Sequence, residues 1–334
     1  MPSLFSEWYC IVNPHAGSGK TMSEWAVADK LLTKADVSFK TVLTCYKFHA
    51  TQLAYEAAQT GYRKFLAVGG DGSIHETLNG ILRFARESGT PTEEFTLGVI
   101  PIGSGNDWIK SLGVPHDTAK VVELIASGSF ARQDVVRVEA LPLAEGAVPD
   151  VQAAASADPA GAAAAPVICY MANIGGVGFD SHVCERVNAL KEQGKRGKLI
   201  YLGALLYTMF RTRAFRTRIV ADGAVAFEGE AYSVAFGNGR YSGGGMRQVP
   251  MSEIDDGVMD YMVVPKASLL HILTQIPRLY NGTVNESNLL RTGRCRTLEM
   301  SGDNIVEMDG EIIGRLPLKI TMTGRQFGVV VGPR

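Results

Sequence analysis

Three short glycine-rich loops carry most of the chemistry this sequence can do. The first, Pro14-His15-Ala16-Gly17-Ser18-Gly19-Lys20-Thr21, joins an apolar run to a helix-like segment. It nearly fits the phosphate cradle G-x-x-x-x-G-K-[ST]. Pro14, however, stands where the first glycine belongs, and its locked φ and missing N–H do not suit that loop. What remains is a loop in which Gly17, Ser18 and Gly19 let backbone N–H groups approach a phosphate at a helix N-terminus, with Lys20 beside it. A bare strand-to-helix turn is the plain alternative. The second loop, Gly69-Gly70-Asp71-Gly72-Ser73, sets three glycines around one aspartate, and each glycine raises the entropy cost of ordering. A polyphosphate admitted against the backbone accounts for it better, with Asp71 holding a magnesium ion directly or through water. The third, Pro101-Ile102-Gly103-Ser104-Gly105-Asn106-Asp107, supplies a hydroxyl, an amide and a carboxylate. One such loop is a weak signal; three at the ends of successive strands converge on one crevice.

Two acidic turns follow late in the chain. Met308-Asp309-Gly310-Glu311 reads equally as a D-G hairpin turn and as a pair of reactive carboxylates. Glu253-Ile254-Asp255-Asp256-Gly257-Val258 reads as a solvated acidic turn or as a structural cation site built from carboxylate and backbone oxygens. The sequence has no G-x-G-x-x-G fingerprint and no G-x-S-x-G elbow, and its six histidines lack H-x-x-x-H spacing. His75 is better placed as a helix-start residue than as a base.

The elements that must position these loops alternate. Strands are predicted at 9–12, 37–43, 64–68 and 96–101, and helices at 21–32, 50–59 and 74–83. Such alternation implies a parallel sheet covered on both faces, with ligand loops at the carboxyl ends of its strands. From about Ala131 the texture changes to Val-rich strands, predicted at 134–141, 167–174, 216–220, 231–236, 258–264, 297–300 and 318–322, which implies an antiparallel β domain. The alanine-rich, low-complexity segment 144–166 reads as a solvated loop grafted on a hairpin.

Length and charge set the bounds. At 334 residues the chain has room for two ordinary domains. Its 33 Lys and Arg against 34 Asp and Glu, a formal net charge of −1, exclude a protein whose work is to coat nucleic acid. The five scattered cysteines read as reduced thiols of a cytosolic protein. No signal peptide is visible, and the apolar run 199–210 is too short to cross a bilayer of about 30 Å.

Taken in order, NPHAGSGK (13–20), GGDGSIHETLNG (69–80), GSGND (103–107), NIGGVGFD (173–180), FGNGRYSGGG (236–245), DDG (255–257) and MDGE (308–311) resemble the diacylglycerol kinase catalytic-domain superfamily, which also contains the sphingosine and ceramide kinases. The layout most resembles soluble bacterial members. The resemblance implies an α/β N-terminal domain with a parallel sheet, phosphofructokinase-like and NAD kinase-like, over 1–132. It implies a C-terminal antiparallel β-sandwich domain over 133–322 that binds the lipid, a last strand at 323–334 returning to the first domain, and an active site in the cleft between them. ATP and Mg2+ are the implied cofactors. The nucleotide would be held by Asn13, Pro14, His15, Ala16 and Gly17, by Thr44, by Gly69, Gly70, Asp71, Gly72, Ser73 and Glu76, and by Ser104 with Gly103, Gly105 and Asn106. Asp71, Asp107 and Asp134 would organise magnesium through water. Asp309 matches a general base with Glu311 beside it, whereas sphingosine-kinase-like members place that role on the residue equivalent to Asp71. Asp256, with the carbonyl oxygens of Glu253 and Val258, matches a structural cation site. Ser73 and Ser104 replace commoner threonines and keep the hydroxyl.

The expected activity is transfer of the γ-phosphoryl group of ATP to a lipid hydroxyl, that of diacylglycerol giving phosphatidic acid in phospholipid biosynthesis. A sphingoid-base or other lipid-alcohol kinase is the alternative within this class, and a non-catalytic nucleotide or lipid sensor the alternative outside it. Between Arg186 and Arg218 nine basic residues face one acid, Glu192, around an apolar run. That pattern suits contact with anionic lipid, and equally a buried helix with solvated basic loops. A cytoplasmic enzyme, peripheral on the inner face of the membrane, with a homodimer as a further expectation, completes the reading.

Overall fold

The computed structural model describes residues 6–102, 106–143, 165–193, 195 and 198–333, without the side chains of 18, 192 and 198–202. The predicted phosphate contacts Gly103, Ser104 and Gly105, and nearly all of the alanine-rich loop, lie outside the described residues. The chain divides into two compact units, Met1–Val135 with Gly324–Arg334, and Val136–Thr323.

In the first unit strands and helices alternate: β1 (Trp8–Val12), α1 (Thr21–Lys34), β2 (Phe39–Leu43), α2 (His49–Gln59), β3 (Lys64–Gly69), α3 (Asp71–Ser88), β4 (Thr96–Pro101), α4 (Asp107–Ser111) and α5 (Thr118–Ser127). The strands pair in parallel in the order β4-β3-β1-β2, with Val12 opposite Val68 and Leu43, and Gly69 opposite Pro101. β1 is buried along its whole length and β3 and β4 nearly so, as expected of parallel strands covered on both faces, while β2 at the edge is half exposed. All the strands therefore end at one rim, and each glycine loop leaves from it.

Strand β5 (Phe130–Leu141) carries the chain into the second unit. There follow β6 (Val167–Met171), β7 (Ile174–Gly178), α6 (Phe179–Glu192), α7 (Lys198–Arg211), β8 (Phe215–Ala221), β9 (Ala224–Gly237), β10 (Met259–Pro265), α8 (Leu269–Leu273), α9 (Ile276–Asn281), β11 (Arg291–Cys295), β12 (Thr297–Gly302), β13 (Ile305–Met308) and β14 (Glu311–Val330). Pairing is antiparallel along β11-β10-β9-β7-β13, with β8 bridging β9 and β12. Val136, Val177, Phe236, Leu298, Val306 and Ile320 are among the fully buried residues of its core. The end of β14 returns to the first unit, where Gly328 and Val329 pair in parallel with Thr96 and Leu97 of β4.

Several elements differ from the sequence reading; the strand predicted at 231–236, for one, runs over Ala224–Gly237. Helix α3 begins at Asp71 rather than Ile74, because Gly70 in an extended conformation serves as its N-cap. The strand predicted over 167–174 is two strands, interrupted at Ala172 and Asn173. The short strand predicted at 318–322 is the middle of β14.

Helices α2 and α3 cross so closely that a Cβ on Gly80 would lie 2.8 Å from the Cβ of Ala54 and collide with the carbonyl oxygen of Thr51. Gly80→Val is therefore expected to destabilise the protein by about 2 to 3 kcal/mol or more through overpacking, read as a lower urea midpoint at unchanged m-value.

Candidate active site

The first unit brings its loops together at the shared rim of the sheet. Asn13 follows β1, where its N–H donates to the Val68 carbonyl at 3.0 Å, and its Oδ1 accepts from the His15 N–H at 3.0 Å. Its Nδ2 reaches Ser73 Oγ at 3.4 Å, which ties the first loop to the second. A Cβ on Gly17 would lie 2.6 Å from Ile102 of the third loop, and Gly17 has φ +56°, so glycine is required there on both counts. The Ile102 N–H donates to the Gly69 carbonyl at 2.8 Å, and the Asp107 N–H to Oδ2 of Asp71 at 3.3 Å. A Cβ on Gly70 would sit 3.5 Å from Oδ1 of Asn106.

The remaining residues fall as follows. Thr44 is buried beside the first loop, its N–H on the Val12 carbonyl at 2.9 Å. Residues 17–19 form a single 3-10 turn before α1, flanked by half-buried Pro14 and Ala16 and by exposed His15 and Lys20. Gly72 and Ser73 lie in the first turn of α3, whose N-terminus can oppose negative charge. Glu76 Oε2 accepts from the Ala50 N–H at 3.1 Å in the first turn of α2, a capping bond that ties α3 to α2. His75 is buried one helical turn from Asn79.

The acids expected to organise magnesium are not a ready ligand set. Among the described residues no three His, Cys, Asp or Glu side chains are grouped to hold a metal. Asp107 is buried and its Oδ1 meets Lys110 Nζ at 2.5 Å, while Oδ1 of buried Asp134 accepts from Gln326 Nε2 at 2.9 Å. Asp71 and Asp107 are joined directly through the Asp107 N–H. Two hard oxygen donors beside phosphate-ready loops fit a magnesium ion that keeps most of its water and takes one or two carboxylates. In the 253–258 turn the Glu253 side chain pairs with Arg240 and Asp256 with Arg294, and Asp256 Oδ1 also accepts the Val258 N–H at 3.2 Å.

In the second unit Asp309-Gly310 is a two-residue hairpin turn between β13 and β14, with φ 52° and 86°. Both central residues are left-handed, the signature of the D-G turn. Asp309 is buried, and its carboxylate accepts the Ala172 N–H at 2.9 Å and the Asn173 N–H at 2.8 Å, one on each oxygen. Glu311, just past the turn, is half-buried. Beneath the turn lie two acids that the sequence reading did not single out. Asp180 accepts from Ser233 Oγ, and from Gln248 Nε2 at 2.8 Å; Glu307 Oε2 accepts the Gly310 N–H at 3.2 Å. Both lie against Gly176, where a Cβ would sit 2.9 Å from Asp180 Cβ and 3.3 Å from Glu307 Oε1. Asp180 closes the NIGGVGFD segment, so a signal for it existed. Glu307 looks in sequence like any polar strand residue.

An α/β unit with three converging glycine loops, joined to an antiparallel β unit, has counterparts of known structure. A putative diacylglycerol kinase from Bacillus anthracis str. Sterne has the same fold, with TM-score 0.71 at 23% identity over 98% of both chains. Residues 7–138 match the family model for the diacylglycerol kinase catalytic domain, and residues 174–331 that for the YegS C-terminal NAD kinase beta sandwich-like domain. The chain belongs to the diacylglycerol kinase catalytic-domain superfamily. Its relatives include a diacylglycerol kinase of Bacillus subtilis, 26% identical over 96% of this chain and 95% of that one. A diacylglycerol kinase of Mycobacterium tuberculosis is 25% identical over 93% and 90% of the two chains. A probable YegS-like lipid kinase of Xanthomonas oryzae is 26% identical over 78% and 74%.

Burial, and after it the Asp180 carboxylate, pushes Glu307 well above the usual carboxylate range, with the Gly310 N–H opposing. Burial also raises Asp180, against its bonds from Ser233 and Gln248. The folded chain therefore holds protons that the unfolded chain releases above about pH 4.3, and this contribution to stability is lost as pH rises towards the folded value. Wild type is expected to lose stability relative to Glu307→Gln between about pH 5 and pH 8. Urea unfolding across that range checks it, and parallel pH profiles would count against a raised Glu307.

Proposed function

We propose that this protein is a lipid kinase that transfers the γ-phosphoryl group of ATP to the hydroxyl of diacylglycerol, giving phosphatidic acid. The observation that carries the reading is the convergence of the three glycine loops, with Asp71 and Asp107 joined beside them, in a chain matched along both units by diacylglycerol kinases. Phosphoryl transfer asks a protein mainly for positioning and for donors around spreading phosphate charge. Backbone N–H groups of the loops and the N-terminus of α3 supply such donors in this chain. Asp71 and Asp107 would hold Mg2+, which neutralises phosphate charge when bound, with Asp134, held by Gln326, as a supporting acid.

The acceptor hydroxyl must lose a proton. Both oxygens of Asp309 are committed to backbone amides, which makes Asp309 the anchor of the hairpin and favours Glu311 as the proton acceptor. Glu311→Gln is expected to lower turnover about a hundredfold or more at unchanged melting temperature. Asp309→Asn would turn a side-chain N–H₂ towards a backbone N–H and destabilise the fold by about 1 to 3 kcal/mol. A Glu311→Gln enzyme with full turnover would return the base to Asp309, or to Asp71 if Asp309→Asn were also active.

Transfer of labelled γ-phosphate to diacylglycerol, monoacylglycerol, sphingosine, ceramide and phosphatidylglycerol in mixed micelles tests the acceptor. Label on diacylglycerol is expected. Label on sphingosine alone would select a sphingoid-base kinase, and ATP binding without any labelled lipid would select a sensor.

Access to a bilayer lipid is the second half of the proposal. Among the described residues no helix is long and apolar enough to cross a membrane. Helix α7 instead exposes Leu206, Tyr207 and Phe210, the last 72% exposed, and α8 exposes Leu270 at 77%. The guanidinium groups of Arg186 and Arg211 lie 4.8 and 5.3 Å from the Tyr207 ring. An exposed aromatic and aliphatic edge framed by arginines suits an anionic lipid surface, at the inner face of the membrane in a cytoplasmic protein. At about 1 kcal/mol per basic residue, replacing Arg211, Arg213 and Arg216 by Gln is expected to weaken binding to phosphatidylglycerol vesicles about a hundredfold. Undiminished binding in a flotation assay would remove this surface from the proposal.

A further inference from the structure

The hairpin that presents Glu311 turns at Gly310, and the two peptide groups that flank its Cα are each held by side chains. The N–H donates to Oε2 of Glu307 at 3.2 Å. The carbonyl accepts from Cys184 Sγ at 3.0 Å and from Asn188 Nδ2 at 3.2 Å. Cys184 and Asn188 are four residues apart on α6 and so share one helix face, with Asn188 Nδ2 also 3.5 Å from Cys184 Sγ. A Cβ on Gly310 would meet nothing within 4 Å, so the turn is open on that side. A two-residue D-G turn forms without such help, since its left-handed dihedrals suit the flanking strands. The three side chains therefore do something beyond making the turn.

We propose that Glu307, Cys184 and Asn188 are positioning residues that lock the two peptides flanking Gly310, the second of which leads into Glu311, and so aim the Glu311 carboxylate at the acceptor hydroxyl. The proposal rests on the reading of Glu311 as proton acceptor. A reacting group displaced by about 1 Å can cost about a hundredfold in rate, so a turn open to one side needs an external restraint. Glu307 can supply it in either protonation state, because the carbonyl oxygen of a neutral carboxyl accepts the Gly310 N–H as well. Two donors from one helix on the same carbonyl restrain its direction as well as its distance.

The test compares wild type, Cys184→Ala combined with Asn188→Leu, and the conservative Cys184→Ser, which keeps a donor at the same place. Turnover, KM for ATP, melting temperature and amide hydrogen exchange across 305–313 are measured on each full-length protein. The double variant is expected to exchange about tenfold faster at the turn and to lose about tenfold or more in kcat, with KM for ATP unchanged. Cys184→Ser is expected to stay within about threefold of wild type in both readouts. Unchanged exchange in the double variant would overturn the proposal. So would faster exchange at full kcat, since the clamp would then not aim the base, and so would an exchange increase spread over β13 and β14 with a matching fall in melting temperature. If wild type transfers no phosphate to any lipid, the kinase reading falls on that ground alone, and the aiming role falls with it even where exchange shows the turn to be held.

Discussion

The second unit is organised around one buried carboxylate. Asp309 takes the N–H groups of Ala172 and Asn173, which precede it by 137 and 136 residues, and gives its own N–H to the Ile174 carbonyl. Those two amides are withdrawn from any ladder, so one apolar run becomes two strands, β6 and β7. Withdrawn amides and a buried carboxylate satisfy each other; separated, each would bear the desolvation cost of an unmet polar group. The hairpin consequently cannot slip by a residue, and the register that sets Val306 opposite Val177 and Met308 opposite Gly175 follows from it. With the register fixed, Val177, Val306 and Met308 enter the core together.

Four acids crowd this region, and each is accommodated differently. Asp309 is satisfied by amides; Asp180 by a hydroxyl and a side-chain amide; Glu307 by one amide and a strong bias towards its neutral form; Glu311 by partial exposure. Placing four anions together in a low-dielectric interior would be prohibitive, and the bias of Glu307 reduces their number. The chemistry assigned to Glu311 is thus supported by three neighbours whose charges are masked or removed.

What could be read from the sequence follows from how local the controlling interaction is. The glycine loops were legible because glycine spacing after a buried strand is a local signal, and the parallel order of the sheet followed from strand and helix alternation. The start of α3 was misplaced by three residues because Gly70, read as part of a turn, is the N-cap. The break at Ala172-Asn173 could not be read, since its cause is an aspartate more than a hundred residues away. Glu76 lies inside a phosphate motif, and its bond to the first turn of α2 joins helices that cross closely at Gly80. At the 253–258 turn the sequence shows the acids but not the arginines, Arg240 and Arg294, that pair with them. D-G at 309–310 was legible as a hairpin because the turn is a local signal, whereas the amides of Ala172 and Asn173 that hold Asp309 lie far away in sequence.

A difference in physical demand separates the two units. Phosphate can be held by backbone N–H groups at a strand-helix junction, and such donors carry no rotamer entropy and need only glycine to open the approach. That is why the first unit concentrates its chemistry in glycines and in one helix N-terminus. A carboxylate that takes a proton is a side chain on rotatable bonds, effective only when its direction is fixed before the hydroxyl arrives. Glycine works against that requirement, because the freedom that lets Gly310 complete the turn also lets it move. The second unit meets the demand with buried polar groups, Glu307 below the turn and Cys184 and Asn188 beside it. On the proposed reading the same residue type serves opposite ends in the two units: glycine opens the approach to phosphate in one and is the weakness to be restrained in the other.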